Sequence, residues 1–418
     1  MPRPVLALTT LAFAVTVAYA ASLSPEFEPS RDDQLAFAAL ARGLAERGEF
    51  TRAGPGEAFF PETLRAPGYP LFVAALCRTV GCGHWQIALA QGLLVALLVV
   101  LTHALAKRAL ADGRPALVAT ALVAVYPTFA YFAALEMADI LGAVLLMGAA
   151  LAFVRSRAAL SGALFGALAL TRFLFGLVVV PVAFLSTRRR LLALALGFAV
   201  VVTPLFVYSY STLGTLSSGS SGSGLWYGYF QRLDARDLDS AERASAAQVQ
   251  REIDAFDAIT DRRAQALAWP RLDALMRDRA LALIATHPLP WLARGVDRSL
   301  VLWAGDRPVR VGTSIPDAVA VALLAAQLVL FVAGLIGSAA LARRPEVAAR
   351  LPLLIVAYTW LSAFPFVTEE RYALPARPFL FIGAVAAWVA LRARSRPASL
   401  SAPRRDGSTA TDAAAPQG

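Results

Sequence analysis

Ser30-Arg31-Asp32-Asp33-Gln34-Leu35-Ala36-Phe37 sets two adjacent carboxylates at the start of a helical stretch, directly after a strongly apolar N-terminus. Ser30 and Asp33 have the spacing of a capping box, with Ser30 as N-cap and Asp33 at N3. On that reading both acids only complement the helix dipole, worth about 0.3–1 kcal/mol. A second reading gives Asp33 chemistry. Asp33, Phe37, Leu40 and Leu44 step by four, three and four and share one helical face. A carboxylate heading an apolar face points toward a membrane-proximal groove instead of bulk water, which makes Asp33 a functional candidate, with Asp32 beside it as a substrate-binding candidate.

Other stretches carry comparable potential. In LRAPGYPLFVAAL (64–76), two prolines and a glycine bracket Tyr69 before an apolar run too short to span. Proline cannot continue a helix and restricts its predecessor, so a rigid turn and a short surface helix are expected, with Tyr69 a substrate-binding candidate. A plain loop-to-helix junction is the alternative. In YFAALEMADILGAVLL (131–146), Glu136 and Asp139 lie three apart near one end of an apolar run. Ionisable groups cost about 2.5–3.5 kcal/mol at mid-membrane and less at the interface, so they tend to face wet cavities; at an interfacial turn they are merely solvated. Arg172, between two short apolar runs, must find water or an anion. In TEERYALPARP (368–378), Arg371 and Tyr372 adjoin a proline-bracketed return to the membrane. A guanidinium fork and a phenol suit a phosphate at headgroup depth, although an aromatic-belt anchor would look the same.

The elements that must hold these residues follow from hydropathy. Hydrophobic residues make up 58% of the chain and charged residues 16%, against roughly a quarter charged in soluble proteins, and mean hydropathy is +0.59. Apolar runs of about 17–25 residues recur, enough to cross a core of about 30 Å at about 1.5 Å per residue. The predicted fold class is an all-α polytopic membrane protein of about ten transmembrane helices, with two large extracytoplasmic loops carrying amphipathic helices. The segments are 4–23, 85–106, 116–134, 138–154, 159–171, 174–187, 190–209, 316–341, 351–366 and 376–392. Arg3, Lys107, Arg108, Arg114, Arg155, Arg157, Arg188, Arg189, Arg190, Arg343, Arg344, Arg350, Arg392, Arg394 and Arg396 then share one side, the cytoplasmic one. Joining 159–187 into one span would place Arg188, Arg189 and Arg190 outside, so two short helices with Arg172 at an outward turn are preferred. These basic loops account for the net charge of +10, and no nucleic-acid partner is expected.

Four parts follow: an N-terminal transmembrane module over 1–209 that includes the first extracytoplasmic loop (24–84), a large extracytoplasmic loop (210–315), C-terminal transmembrane helices (316–392) and a disordered cytoplasmic tail (393–418). The large loop is Gly/Ser-rich at SSGSSGSG (217–224), then helically periodic from Asp234 to Arg279. The first apolar stretch ends in Ala18-Tyr19-Ala20-Ala21 but is longer than a signal-peptide core of about 7–15 residues, so an uncleaved first span is expected. Cys77 and Cys82 either bridge locally or remain free thiols. No cofactor is called for, and a divalent metal requirement stays open, because His84, His103 and His287 form no ligand motif.

On this topology Asp33, Glu136, Asp139, Arg172 and Arg371 converge on one outward face, a pattern suited to an anionic, lipid-linked group with acid/base help. The order of motifs also resembles a known superfamily. Asp33 with an aromatic at i+4 and Leu40-Ala41, RAPGYPLF (65–72), an acid twelve residues after Pro127, GALFGALALTRF (162–173) and RYALP (371–375) are similar in order to GT-C membrane glycosyltransferases. Within these the chain most resembles the glycosyltransferase family 39-like branch of protein O-mannosyltransferases and lipid A aminoarabinose transferase. PLFVYSYSTLG, GLWYGY and HPLPWLARGVDRSLVLW extend the likeness over most of the chain. The resemblance implies that Asp33 is the catalytic base, that Asp139 is the second-loop acid, and that Arg172, Arg371 and Tyr372 bind the polyprenyl phosphate of the donor. Phe37 stands where tyrosine is usual, and SYSTLG (209–214) lacks the usual Arg-Asn before its tyrosine.

The function expected is therefore inverting transfer of a hexose or pentose from a polyprenyl-phosphate donor to a lipid, glycan or protein acceptor, outside a bacterial inner or plasma membrane and among its lipids. The alternatives are a transporter or flippase of lipid-linked or anionic solutes, which should show an internal repeat that the sequence lacks, and a polysaccharide polymerase or ligase.

Overall fold

The computed structural model describes residues 1–22, 32–135, 137–214, 219–231, 233–234, 236–305 and 317–395; the Ser30 cap, Glu136 and the 396–418 part of the tail lie outside them. The described residues form helices and no strand. A first helix α1 (Arg3–Ser22) precedes α2 (Asp32–Arg47) and α3 (Gly68–Thr79), which build the first loop. Next come α4 (His84–Leu110), α5 (Gly113–Val125), α6 (Pro127–Ala134), α7 (Asp139–Val154), α8 (Ala158–Thr171), the single turns α9 (Phe173–Gly176) and α10 (Val179–Ala183), and α11 (Arg188–Leu213). A second unit comprises α12 (Ser221–Phe230), α13 (Ser240–Asp257), α14 (Arg262–Thr286) and α15 (Pro288–Ala304). The chain closes with α16 (Asp317–Ala342), α17 (Val347–Ala363), a 3₁₀ turn (Glu370–Ala376) and α18 (Arg377–Arg394).

Each of the ten apolar segments coincides with a helix or a short run of helices. Five are long and apolar enough to cross a membrane alone: α1, α4, α11, α16 and the 3₁₀ turn with α18. The pair α5 and α6 makes a sixth, bent by 42° where Tyr126 is extended before Pro127. The length criterion gives fewer spans than ten because α7, α8, α9–α10 and α17 are short. These shorter helices are also deeply packed. Ile140, Leu146, Phe165, Leu168, Val182 and Ile355 are buried in one core, whereas Leu192, Leu196, Val200 and Val207 of α11 are exposed. An apolar face this large and unpartnered is the surface that a multi-pass membrane protein shows to lipid.

The hairpin of α7 and α8 sets the polarity of the molecule. Its tight turn carries Arg155 and Arg157, while its open end carries Asp139 at the start of α7 and Arg172 just past α8. The same polarity holds for α4, which ends in Lys107 and Arg108, and for α18, which ends in Arg392 and Arg394. Asp139 and Arg172 on one side and these arginine clusters on the other therefore occupy opposite helix ends.

Cys77 and Cys82 form a disulfide with a Cα separation of 4.4 Å, tying the end of α3 to the start of α4. That resolves the alternative the spacing left open. The Gly/Ser stretch also differs from a plain linker, because α12 begins at Ser221 within it. Small residues are needed there: a Cβ at Gly222 would lie 1.8 Å from the Asp273 carbonyl oxygen of α14. The buried Asp273 carboxylate accepts the backbone N–H groups of Gly222 and Ser223 at 3.0 and 2.8 Å, satisfying otherwise orphaned helix-start donors. The second unit then closes over Leu225, Trp226, Val249, Leu272 and Met276.

The unit is fastened to the membrane part through residues 364–368. The Val367 N–H donates to the Gly224 carbonyl at 2.8 Å, and Gln231 exchanges hydrogen bonds with the Thr368 backbone at 2.8 and 2.9 Å. Arg298, 1% exposed, donates to the carbonyls of Gly228 at 2.7 Å and Phe364 at 3.0 Å. Burial pulls this guanidinium down to about 10. Asp273→Ala should strip two donors of their acceptor and cost about 1–3 kcal/mol. Thermal unfolding of the detergent-solubilised protein should show a clear drop in Tm; an unchanged Tm would remove Asp273 from the account of α12.

Candidate active site

The first loop, the open end of the α7–α8 hairpin and the 3₁₀ turn before α18 meet around Asp33. Asp33 lies in the first turn of α2, and its helical face packs inward: Leu40 is fully buried and Phe37 meets Tyr69 edge-on at 5.2 Å. Its carboxylate is clamped by two guanidiniums. Arg65 NH2 donates to Oδ1 at 3.1 Å, and Arg371 NH2 donates to Oδ2 at 3.0 Å. Burial alone would push the Asp33 carboxyl up; the charges and hydrogen bonds of Arg371 and Arg65 outweigh it and hold the group below its ordinary value.

Arg371 has a side chain only 9% exposed and takes a second carboxylate, Glu369, at 2.9 Å. Arg172 pairs with Asp139 at 2.5 Å, and the Asp139 side chain has no exposed surface. The Tyr372 ring connects the two pairs, with the Arg172 guanidinium 5.5 Å and the Arg371 guanidinium 5.3 Å from its centroid. Two desolvated cations thus share one aromatic ring, an arrangement favourable to cation–π contact and able to present both forks to a single anion.

Local sequence explains these placements. Arg172 is extended between α8 and α9, so the chain turns at that residue and its side chain leaves the hairpin end, as the two-short-helix reading expects. Gly68 explains the RAPGYPLF turn: a Cβ there would lie 2.5 Å from Thr171 Oγ1 and 2.7 Å from the Leu170 carbonyl oxygen, so only glycine lets α3 reach the residues leading into Arg172. Arg371 and Tyr372 follow directly from residues 364–368, which the second unit holds.

Of the sequence candidates, Asp33, Asp139, Arg172, Arg371 and Tyr372 come together. Asp32 opens α2, and its side chain, like Glu136, lies outside the description. Tyr69 differs from its expected role. It has no exposed surface and its hydroxyl accepts from Gln91 Nε2 at 2.9 Å, so it supports the site from behind instead of lining it. The apolar packing of α3 against α2 and α4 draws the ring in, and Gln91 satisfies the hydroxyl that burial would otherwise orphan. Sequence reasoning missed Arg65, Glu62 and Glu369. Glu62 is buried, accepts the N–H groups of Leu64 and Arg65 at 2.8 and 3.1 Å, and meets Arg52 at 2.6 Å. The available signal was Arg65 itself, opening RAPGYPLF. Among the described residues no three His, Cys, Asp or Glu side chains gather at a metal-sized site.

Two solved structures match most of the chain. ArnT from Cupriavidus metallidurans bound to undecaprenyl phosphate is 17% identical, with a TM-score of 0.42, over 90% of this chain and 77% of that one. The same protein in the apo state is 18% identical, with a TM-score of 0.41, over the same shares. No protein-family model matches the chain, and no curated protein is significantly similar to it.

Because the Asp33 carboxyl is held low, its stabilising pairs are present above the ordinary carboxylate range near about pH 4 and are lost as pH falls through the depressed value. The Tm advantage of the native protein over Asp33→Asn should therefore hold at pH 6 and shrink below about pH 4; a gap independent of pH would remove the ion pairs from the account. Gly68→Ala should displace the Thr171–Arg172 turn. A cysteine probe at 172 should label faster in that background, whereas equal labelling would show that the turn is held by other contacts.

Proposed function

We propose that the chain is a GT-C-type inverting glycosyltransferase that moves a hexose or pentose from a polyprenyl-phosphate donor to a lipid, glycan or protein hydroxyl outside a bacterial inner membrane. The observation that carries this reading is one carboxylate, Asp33, shared between Arg65 and the buried Arg371. Beside it lies a second arginine, Arg172, stacked on the same tyrosine. The motif resemblance supports it independently, since it singles out Asp33, Arg172, Arg371 and Tyr372. Residues 1–209 with 316–392 would form the transmembrane body and 210–315 the outer part, with the tail cytoplasmic.

In the reaction, an acceptor hydroxyl oxygen attacks the anomeric carbon from the face opposite the phosphate, and the bond from that carbon to the phosphate oxygen breaks. The hydroxyl proton passes to Asp33, and the electron pair leaves with the polyprenyl phosphate. Arg371 and Arg172 offset charge gathering on the departing phosphate, which is usually the largest catalytic contribution. Tyr372 keeps both guanidiniums on one side of that phosphate. Asp139 is a positioning residue, holding Arg172 from its buried side.

The resting pair of Asp33 with Arg371 gives the donor a further role. A carboxylate held low is a weak base, so Asp33 accepts a proton better once a phosphate competes for Arg371. The base would then be released only when a donor is in place, which limits futile reaction with water.

The test is transfer from radiolabelled polyprenyl-phosphate sugars by purified protein in nanodiscs, with the labelled product identified. Asp33→Asn should lower turnover by about 10²-fold or more with donor binding retained, since a positioned base contributes about 10²–10⁴-fold. Asp32→Asn, which also removes a first-turn charge, should change turnover far less. Arg371→Ala should weaken polyprenyl-phosphate binding itself. Equal turnover in the two aspartate variants would move the base away from Asp33.

A further inference from the structure

A cleft of about 130 Å³, open to solvent on one side, lies between the first loop and the helices α13 and α14. Three aromatic rings wall it: Phe60 from the loop, Phe256 from α13 and Trp269 from α14, the last two meeting edge-on at 5.7 Å. Two guanidiniums reach its rim. Arg52 is engaged with Glu62 at 2.6 Å, while Arg262 rests 5.8 Å from the centre of the Phe60 ring and is paired with no carboxylate among the described residues. Flat apolar faces with a few polar groups make a small-molecule site, and a guanidinium without a counter-ion makes its preferred occupant an anion.

The position of the cleft matters as much as its lining. Thr63 and Leu64 line it, and the residues on either side of them belong to the candidate active site. Glu62 bridges Arg52 to Arg65, at 2.6 and 4.0 Å, and Arg65 holds Asp33 at 3.1 Å. One residue of backbone separates the wall of the cleft from the guanidinium that clamps the base, and the donor-side arginines lie beyond Asp33.

Building on the transferase reading, we infer that this cleft is the acceptor subsite and takes a saccharide bearing a phosphate or carboxylate. The sugar ring would lie against Phe60 and Trp269, the anionic substituent would pair with Arg262, and the free hydroxyl would be directed past Leu64 toward Asp33. Aromatic walls without a cation would suit any sugar; Arg262, with no carboxylate partner among the described residues, selects a charged one.

The test is binding to the full-length protein in phosphatidylcholine nanodiscs, read by saturation-transfer NMR with glucose 6-phosphate, glucose and inorganic phosphate. A second arm places phosphatidylinositol 4-phosphate in the nanodisc, to distinguish a lipid headgroup from a free sugar phosphate. Arg262 is exposed and has no carboxylate partner among the described residues, so Arg262→Glu should fold normally. The native protein should bind glucose 6-phosphate or the phosphoinositide more tightly than glucose or phosphate alone. Arg262→Glu should weaken that binding about tenfold or more, equivalent to about 1.4 kcal/mol, and leave polyprenyl-phosphate binding in place. Equal binding by the native and Arg262→Glu proteins, or no binding to the native one, overturns the assignment while transfer persists. Conversely, Arg262-dependent binding in a protein that neither binds polyprenyl phosphate nor transfers sugar would sink the transferase reading and, with it, the acceptor role of the cleft.

Discussion

Arg371 is the constraint around which the outer half of the molecule is organised. A guanidinium cannot be deprotonated to escape burial, so a side chain 9% exposed must be met by carboxylates or by a ligand anion. Asp33 and Glu369 meet it. For Asp33 to do so, the first loop must fold back over the open end of the α7–α8 hairpin, which in turn needs α3 close to Thr171 and therefore glycine at position 68. For Arg371 to stay there, residues 364–368 must be fixed, and the bonds from Gly224, Gln231 and Arg298 fix them. The second unit thus acts on the site through the backbone of one short segment without lending it a carboxylate.

The ion pairs continue beyond Arg371. From the cleft inward they run Arg52, Glu62, Arg65, Asp33, Arg371, Glu369, with contacts between 2.6 and 4.0 Å. Alternating charges in a partly dry setting polarise and hold one another, so a change at one end is felt along the row. On the proposed reading the two ends are the acceptor side and the donor side, with the base between them. An arginine that gains an anion releases part of its hold on its neighbour, so on that reading a donor phosphate at Arg371 would alter the basicity of Asp33.

Much of this was legible in the sequence. Hydropathy with arginine placement located the helices, because lipid demands apolar length and basic residues resist translocation; it also found the break at Arg172. Asp33, Asp139, Arg172 and Arg371 stood out since charge beside an apolar run is costly and therefore purposeful. Arg65 and Glu62 did not, because an arginine before Ala-Pro-Gly in a polar loop looks solvated until the loop is seen folding over Asp33. Tyr69 was misread for the opposite reason. Prolines and a glycine announce an exposed turn, but the ring between them is drawn inward by α2 and by Gln91, a polar residue inside a span whose partner no local pattern reveals. The SSGSSGSG stretch is Gly/Ser-rich by composition, whereas two of its small residues, Gly222 and Ser223, serve close approach and backbone bonds to Asp273. The disulfide was undecidable from spacing alone, because it depends on where α3 ends.

On the transferase reading, charge balance among the described residues says which group would give way to a phosphate. Four guanidiniums there, of Arg52, Arg65, Arg172 and Arg371, face four carboxylates, of Asp33, Glu62, Asp139 and Glu369. An added phosphate unbalances this set, and a like charge in a poorly solvated pocket is expensive, so a carboxylate must move toward water or take up a proton. Glu62 and Asp139 have no exposed side-chain surface and cannot easily reach water, while Asp33 and Glu369 are 35% and 44% exposed. The two that can yield are the two bound to Arg371. Asp33 is also tethered by Arg65, so when Arg371 turns to the phosphate it keeps one partner and frees one oxygen, Oδ2, the oxygen a base needs. On the transferase reading, this uneven burial would give the four carboxylates different duties: two to hold the arginines, one to make room, and one to react.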